Sequence, residues 1–135
     1  MNTMVSPADG SADLAGFNVL VVEDDYFVAK EVAKILREHG AHVLGPVPDV
    51  ARGRALLSSV IPDCAVLDIN LKSKFVFELA EELEERGVPP VFATGYDSSF
   101  VPQHLRHAPC LQKPVDARDL VRHVREEITT RRLAQ

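Results

Sequence analysis

The sequence predicts an α/β domain built as a five-stranded parallel sheet with helices on both faces. Three observations point there. Short apolar runs of strand length alternate with stretches whose apolar residues recur at helical spacing. Five such units follow one another, and repeated strand–helix units build a parallel sheet. The first strand run is apolar without interruption, as in strands buried on both faces.

The elements follow in order. Residues 18–22, NVLVV, form the first strand and lead into Glu23-Asp24-Asp25. Residues 26–38 predict a helix, with Phe27, Val28, Val32, Ile35 and Leu36 at apolar positions and Gly40 as its stop. His42–Leu44 is a short strand. Gly45-Pro46-Val47-Pro48-Asp49 reads as a loop, with Asp49 as the N-cap of a helix over about 50–60. Ala51, Ala55, Leu56 and Val60 are its expected inner face. Cys64–Leu67 is the third strand. A helix at about 75–86 carries Phe75, Leu79, Ala80 and Leu83 on one face and glutamates on the other, with Gly87 as stop. Residues 90–94 form the fourth strand. Ser98–Arg106 predicts a short, poorly patterned helix interrupted by Pro102. Cys110–Gln112 is the last strand, and Asp116 caps a helix over about 117–132 with Leu120, Val121, Val124 and Ile128 inward.

Length and composition narrow the function classes. The 135 residues suit one domain, expected over 16–135 behind a flexible, polar N-terminal tail, 1–15, and with no output domain. A net charge of −5 gives no basic face for nucleic acid. No apolar run approaches the roughly 20 residues of a bilayer helix, and no secretory signal opens the chain. A cytoplasmic module without membrane or nucleic-acid partners is expected. Cys64 and Cys110 lie in strand-like runs and read as buried core thiols in a reducing compartment. His39, His42, His104, His107 and His123 read as solvated; His104 and His107 are three apart and could share a helix face. The acidic run Glu81–Glu85 reads as a solvated helix face.

The chemistry gathers at one edge. Ligands of open parallel sheets bind at the carboxyl ends of the strands. Glu23, Asp24 and Asp25 follow the first strand, Asp68 the third, Thr94-Gly95 the fourth and Lys113-Pro114 the fifth. Converging carboxylates repel and call for a cation. An all-oxygen set suits Mg²⁺, held by one or two carboxylates together with phosphate oxygens. Asp68 is then a candidate nucleophile, able to form an aspartyl phosphate. Lys113 and Thr94 would hold the incoming phosphoryl oxygens, and Gly95 would let a backbone N–H come close.

Taken together, VLVVEDD (19–25), AVLDINL (65–71), FATGY (92–96) and LQKPV (111–115) resemble a response-regulator receiver domain. The resemblance implies a flavodoxin-like three-layer sandwich with strand order 2-1-3-4-5. It implies Glu23, Asp24, Asp68 and the backbone carbonyl of Asn70 at the Mg²⁺ site. Asp68 would be the phospho-acceptor, Thr94 the switch hydroxyl and Lys113 the phosphoryl contact. A cis Lys113–Pro114 bond is also implied. The implied partner is a histidine kinase or a histidine phosphotransfer protein, and the implied state a monomer or weak dimer. The stretch PPVFATGY (89–96) resembles the FAT GUY subgroup of single-domain receivers, with Pro90 where the motif has Phe, and implies general stress signalling.

Two departures bear on the output. Cys110 stands where many receivers carry the aromatic residue that couples to the threonine. Only 18 residues separate Thr94 from Lys113, so the fourth helix is expected short or distorted. Two other readings meet the same residues. A haloacid-dehalogenase-like phosphatase needs a second aspartate two places after the nucleophile, and Asn70 stands there. A pseudo-receiver scaffold acting without phosphorylation is the alternative that the unusual Cys110 keeps open.

Overall fold

The apolar runs do form strands, and all of them are parallel. The structure is a computed structural model and describes residues 13–69, 76–95 and 98–133. Its elements are β1 (Asn18–Val22), α1 (Tyr26–Glu38), β2 (His42–Val47), α2 (Val50–Leu56), β3 (Cys64–Ile69), α3 (Val76–Glu85), β4 (Pro90–Thr94), β5 (Cys110–Gln112) and α4 (Ala117–Leu133). The sheet runs β2-β1-β3-β4-β5, the expected order 2-1-3-4-5. No helix among the described residues is long and apolar enough to cross a membrane.

Side chains alternate along each strand, so the two faces of the sheet carry separate apolar layers. Val19, Val21, Cys64, Val66 and Val91 pack with Val32, Leu36, Leu120 and Val124 of α1 and α4. Leu20, Val22, Ala65, Leu67 and Phe92 pack with Leu79 and Leu83 of α3. Fully burying one such side chain stabilises the fold by about 1.5–3 kcal/mol. Both sheet faces being covered explains why β3 is buried along its whole length.

Local chemistry sets the helix ends. The Asp25 carboxylate accepts hydrogen bonds from the Phe27 and Val28 N–H groups and starts α1. Asp49 does the same for Arg52 in α2, and Asp116 for Asp119 in α4. Gly40 and Gly87 follow α1 and α3 with φ of +96° and +81°, the left-handed turn that glycine adopts without a steric penalty.

Several expectations need correcting. β2 continues through Gly45-Pro46 to Val47, where a loop was expected, and the Gly45–Pro46 peptide is cis. Pro46 is tolerated because β2 is an edge strand. α2 stops at Leu56, and Gly53 and Leu57 are buried while Ala51 and Ala55 are exposed. A Cβ on Gly53 would stand 3.0 Å from a Val22 methyl, so the missing side chain lets α2 lie close on the sheet. Phe27 is 79% exposed, on the outer side of α1. In place of one fourth helix there are two 3-10 turns, Ser98–Phe100 and Gln103–Leu105, parted by Pro102. Leu14, assigned to the tail, is fully buried, and its N–H donates to the His39 carbonyl. Asp13 beside it pairs with Arg125. Phe75 lies outside the described residues.

Cys64 is buried and Cys110 half-buried, and both are free thiols. Burial pushes both thiols above their ordinary range, Cys64 far above it. The histidines at 104 and 107 are not merely solvated: they pair with Glu81 and Glu84 of α3. Glu82 of the same helix takes a two-pronged hydrogen bond from Arg54 of α2. Nothing local in the sequence signals these pairs, whose members are 23 and 28 residues apart.

Candidate functional site

Each candidate is delivered by a strand end. Asp68 is the penultimate residue of β3 and lies opposite Ala93 of β4. Glu23 and Asp24 directly follow β1, Thr94 closes β4, and Lys113 directly follows β5. The β2-β1-β3-β4-β5 order puts the ends of β1 and β4 on either side of β3, so the residues converge.

The geometry is tight. The Lys113 ammonium donates to Asp68 Oδ1 at 2.6 Å and to Glu23 Oε2 at 3.1 Å. One carboxylate oxygen from each of Glu23, Asp24 and Asp68 lies within 4.8 Å of the others. Glu23 and Asp68 are buried, whereas Asp24 is exposed and forms the open side. Glu23 also accepts the Asp25 N–H at 3.1 Å. Thr94 is buried, and its carbonyl accepts the Lys113 N–H at 2.8 Å, which locks the ends of β4 and β5 together. The Lys113–Pro114 peptide is cis.

Gly95 is exposed, and apart from its chain neighbours no atom of the described residues lies within 4 Å of the place where a Cβ would stand. Asp25, read as part of the acidic group, instead spends its carboxylate on the first turn of α1. Asn70 lies outside the described residues.

The electrostatics are those of an overloaded site. Burial pushes the Glu23 carboxyl up to about 7, against the hydrogen bonds from Lys113 and the Asp25 N–H; Asp68 adds to the rise. Burial also raises Asp68, with Lys113 opposing and Asp24 adding to the shift. Desolvation works against the Lys113 ammonium, but its bonds to Asp68 and Glu23 outweigh it and hold its pKa above the ordinary value. Among the described residues one ammonium faces three carboxylates, so the group is left with an excess of negative charge. A hard divalent cation fits this donor set, which is all oxygen and open to water on the Asp24 side.

The family model of the response regulator receiver domain matches residues 19–125. The chain belongs to that family. A response regulatory protein of Vibrio cholerae serotype O1 is 30% identical over 110 residues, covering 79% of this chain and 46% of that protein. The transcriptional regulatory protein PdtaR of Mycobacterium tuberculosis is 23% identical over 122 residues, covering 87% of this chain and 60% of that protein. The chain thus spans about half the length of these curated relatives. Among solved structures, a CheY-like receiver domain from Methanospirillum hungatei JF-1 superposes with a TM-score of 0.74 at 23% identity, covering 90% of this chain and 99% of that one. The BeF3-activated conformation of SdrG from Pseudomonas melonis Fr1 superposes with a TM-score of 0.70 at 32% identity, covering 84% and 97%. Receiver domains are signalling modules of two-component systems, and this chain is one of them.

Proposed function

We propose that this receiver accepts a phosphoryl group on Asp68 from a histidine kinase or a histidine phosphotransfer protein, and signals through contacts that depend on it. The observation that carries the reading is the Asp68 carboxylate held at 2.6 Å from the Lys113 ammonium, inside the Glu23–Asp24–Asp68 group. Glu23, Asp24, Asp68 and Asn70 would hold Mg²⁺, which when bound neutralises the carboxylates and the phosphoryl oxygens.

An Asp68 oxygen attacks the phosphorus of the phosphohistidine. The new P–O bond forms as the P–N bond breaks, and the imidazole leaves with a proton from water. Lys113, already on Asp68, moves its hydrogen bond to a phosphoryl oxygen. Gly95 leaves room for another oxygen, and the Thr94 hydroxyl closes on a third. SdrG, 32% identical, adopts a BeF3-activated conformation, and BeF3 is a tetrahedral stand-in for a phosphoryl group.

Thr94 leads directly toward the segment 98–106, so that segment is the first place a shift at Thr94 is felt. Cys110 lacks the aromatic ring that many receivers use for this coupling, so the two 3-10 turns take over the readout. The PPVFATGY stretch, which resembles the FAT GUY subgroup, supports a role in general stress signalling.

The test is intact mass after incubation with acetyl phosphate. A phosphoryl mass gain that needs Mg²⁺ and is absent in Asp68→Asn is the expected result. No gain with acetyl phosphate and none with a phosphorylated histidine kinase would leave a scaffold that works unphosphorylated.

A further inference from the structure

At the opposite edge of the sheet, where β1 and β3 begin, a cavity of about 400 Å³ opens between the C-terminal ends of α3 and α4. Three guanidinium groups line it, those of Arg86, Arg131 and Arg132, against the single carboxylate of Asp63. This concentration of positive charge sits in a chain whose net charge is −5.

Asp63 is already satisfied. One of its oxygens accepts the Asn18 N–H at 2.8 Å, and the other accepts from Arg132 at 3.0 Å. Arg132 also covers the Phe17 ring, 4.9 Å from its centroid, and so serves as a fixed wall. The other two guanidiniums keep their donors largely unspent. Among the described residues the Arg86 guanidinium makes a single long contact, 3.4 Å, to the Leu57 carbonyl. The Arg131 side chain makes no hydrogen bond or ion pair with the described residues; Glu127, a turn before it, lies in its field without being bonded to it.

Basic residues near helix C-termini are favoured by the helix dipole, which accounts for arginines at these two places. The dipole does not require that two of them leave planar forks of donors around one shared cavity. Such forks match phosphate oxygens two at a time. The volume lies within the range of small-molecule sites and exceeds what a bare phosphate fills. Ile61, a large apolar residue 51% exposed at the rim, offers a face for the rest of a ligand.

We propose that Arg86 and Arg131 form a binding site for a small phosphate-bearing anion, of nucleotide size, at the edge of the sheet remote from Asp68. Binding is read directly, so the outcome does not depend on whether Asp68 accepts a phosphoryl group.

The test is ¹⁵N–¹H NMR titration without Mg²⁺ at constant ionic strength, with AMP, inorganic phosphate and adenosine as separate probes. Saturable shifts at the Asp63, Gly87 and Arg131 amides with AMP, and none with adenosine, are expected. Binding at least tenfold weaker is expected in the Arg86→Gln/Arg131→Gln double variant, whose melting temperature should match the parent because neither residue holds the fold together. AMP binding more tightly than phosphate would assign the site to an organophosphate, and equal binding to the free anion; both support an anion site. The proposal is overturned if neither AMP nor phosphate shifts these amides. Shifts that grow linearly, are matched by adenosine, or persist within threefold in the double variant would also overturn it.

Discussion

Lys113 stands between two buried carboxylates, and its removal and theirs should act in opposite directions. Lys113→Ala leaves Glu23 and Asp68 buried without their ammonium. Breaking a buried pair in this way costs on the order of 3 kcal/mol. Asp68→Asn removes a carboxylate whose ionisation the fold resists, so it should be neutral or stabilising. Urea unfolding in a chelator should therefore rank Lys113→Ala lowest and Asp68→Asn at or above the parent. The pH dependence has a definite sign. The folded Glu23 pKa, about 7, lies above its unfolded value of 4.5, so the folded state binds the proton more tightly. Its contribution to stability is full below pH 4.5 and is lost as the pH rises through 7. Without metal, stability should fall across that window, and Glu23→Gln should flatten the slope.

Much of this site was legible because strand ends announce themselves: an apolar run followed by a carboxylate marks both the strand and its functional edge. Glu23, Asp24 and Asp68 stand out that way, and Thr94 and Lys113 by the polar residues that end the last two apolar runs. Asp25 could not be separated from its neighbours, since a cap and a ligand look alike in a run of three acids, and only the turn into α1 decides between them.

Among elements, the segment between β4 and β5 departs furthest from a regular repeat. Its two 3-10 turns are too short to stabilise themselves through their own hydrogen bonds. His104 and His107 clasp the segment to Glu81 and Glu84 of α3, and Arg106 closes it on itself through the Val101 and Ser99 carbonyls. Exposed contacts of this kind stabilise by at most about 0.2–1 kcal/mol each, so His104→Ala/His107→Ala should lower global stability only slightly. Local opening is the sharper readout. Amide exchange at Leu105 and Ala108 should quicken severalfold, while exchange in β1 and β3 stays unchanged. Equal acceleration throughout would show that the clasp holds the fold rather than the segment. Pro102 in the sequence foretold a broken helix. The clasp was invisible because it joins distant residues. Helix α2 was misjudged for a related reason: helical spacing favoured Ala51 and Ala55, but close packing on Val22 selected Gly53.

For the whole molecule, strand–helix alternation alone gave a parallel sheet covered on both faces. The strand order came from family resemblance, because periodicity carries no information about which strands are neighbours. That order brings Glu23, Asp68 and Lys113 together from positions up to 90 residues apart. A site assembled from three strand ends couples cation binding to global stability. A ligand that binds only the folded state at 100 times its dissociation constant adds about 2.7 kcal/mol. Saturating Mg²⁺ should raise the melting temperature of the parent, and this gain should vanish in Glu23→Gln/Asp24→Asn. A gain that survives the double substitution would place the cation elsewhere.

The measurement that bears most directly on Asp68 as acceptor is borohydride trapping after phosphorylation, followed by fragment mass analysis. Borohydride reduces an aspartyl phosphate to homoserine, which marks the acceptor permanently. The expected result is homoserine at position 68 alone, formed only when Mg²⁺ was present. Reduction at Glu23 or Asp24, or none at position 68 in protein that has gained a phosphoryl mass, would contradict it.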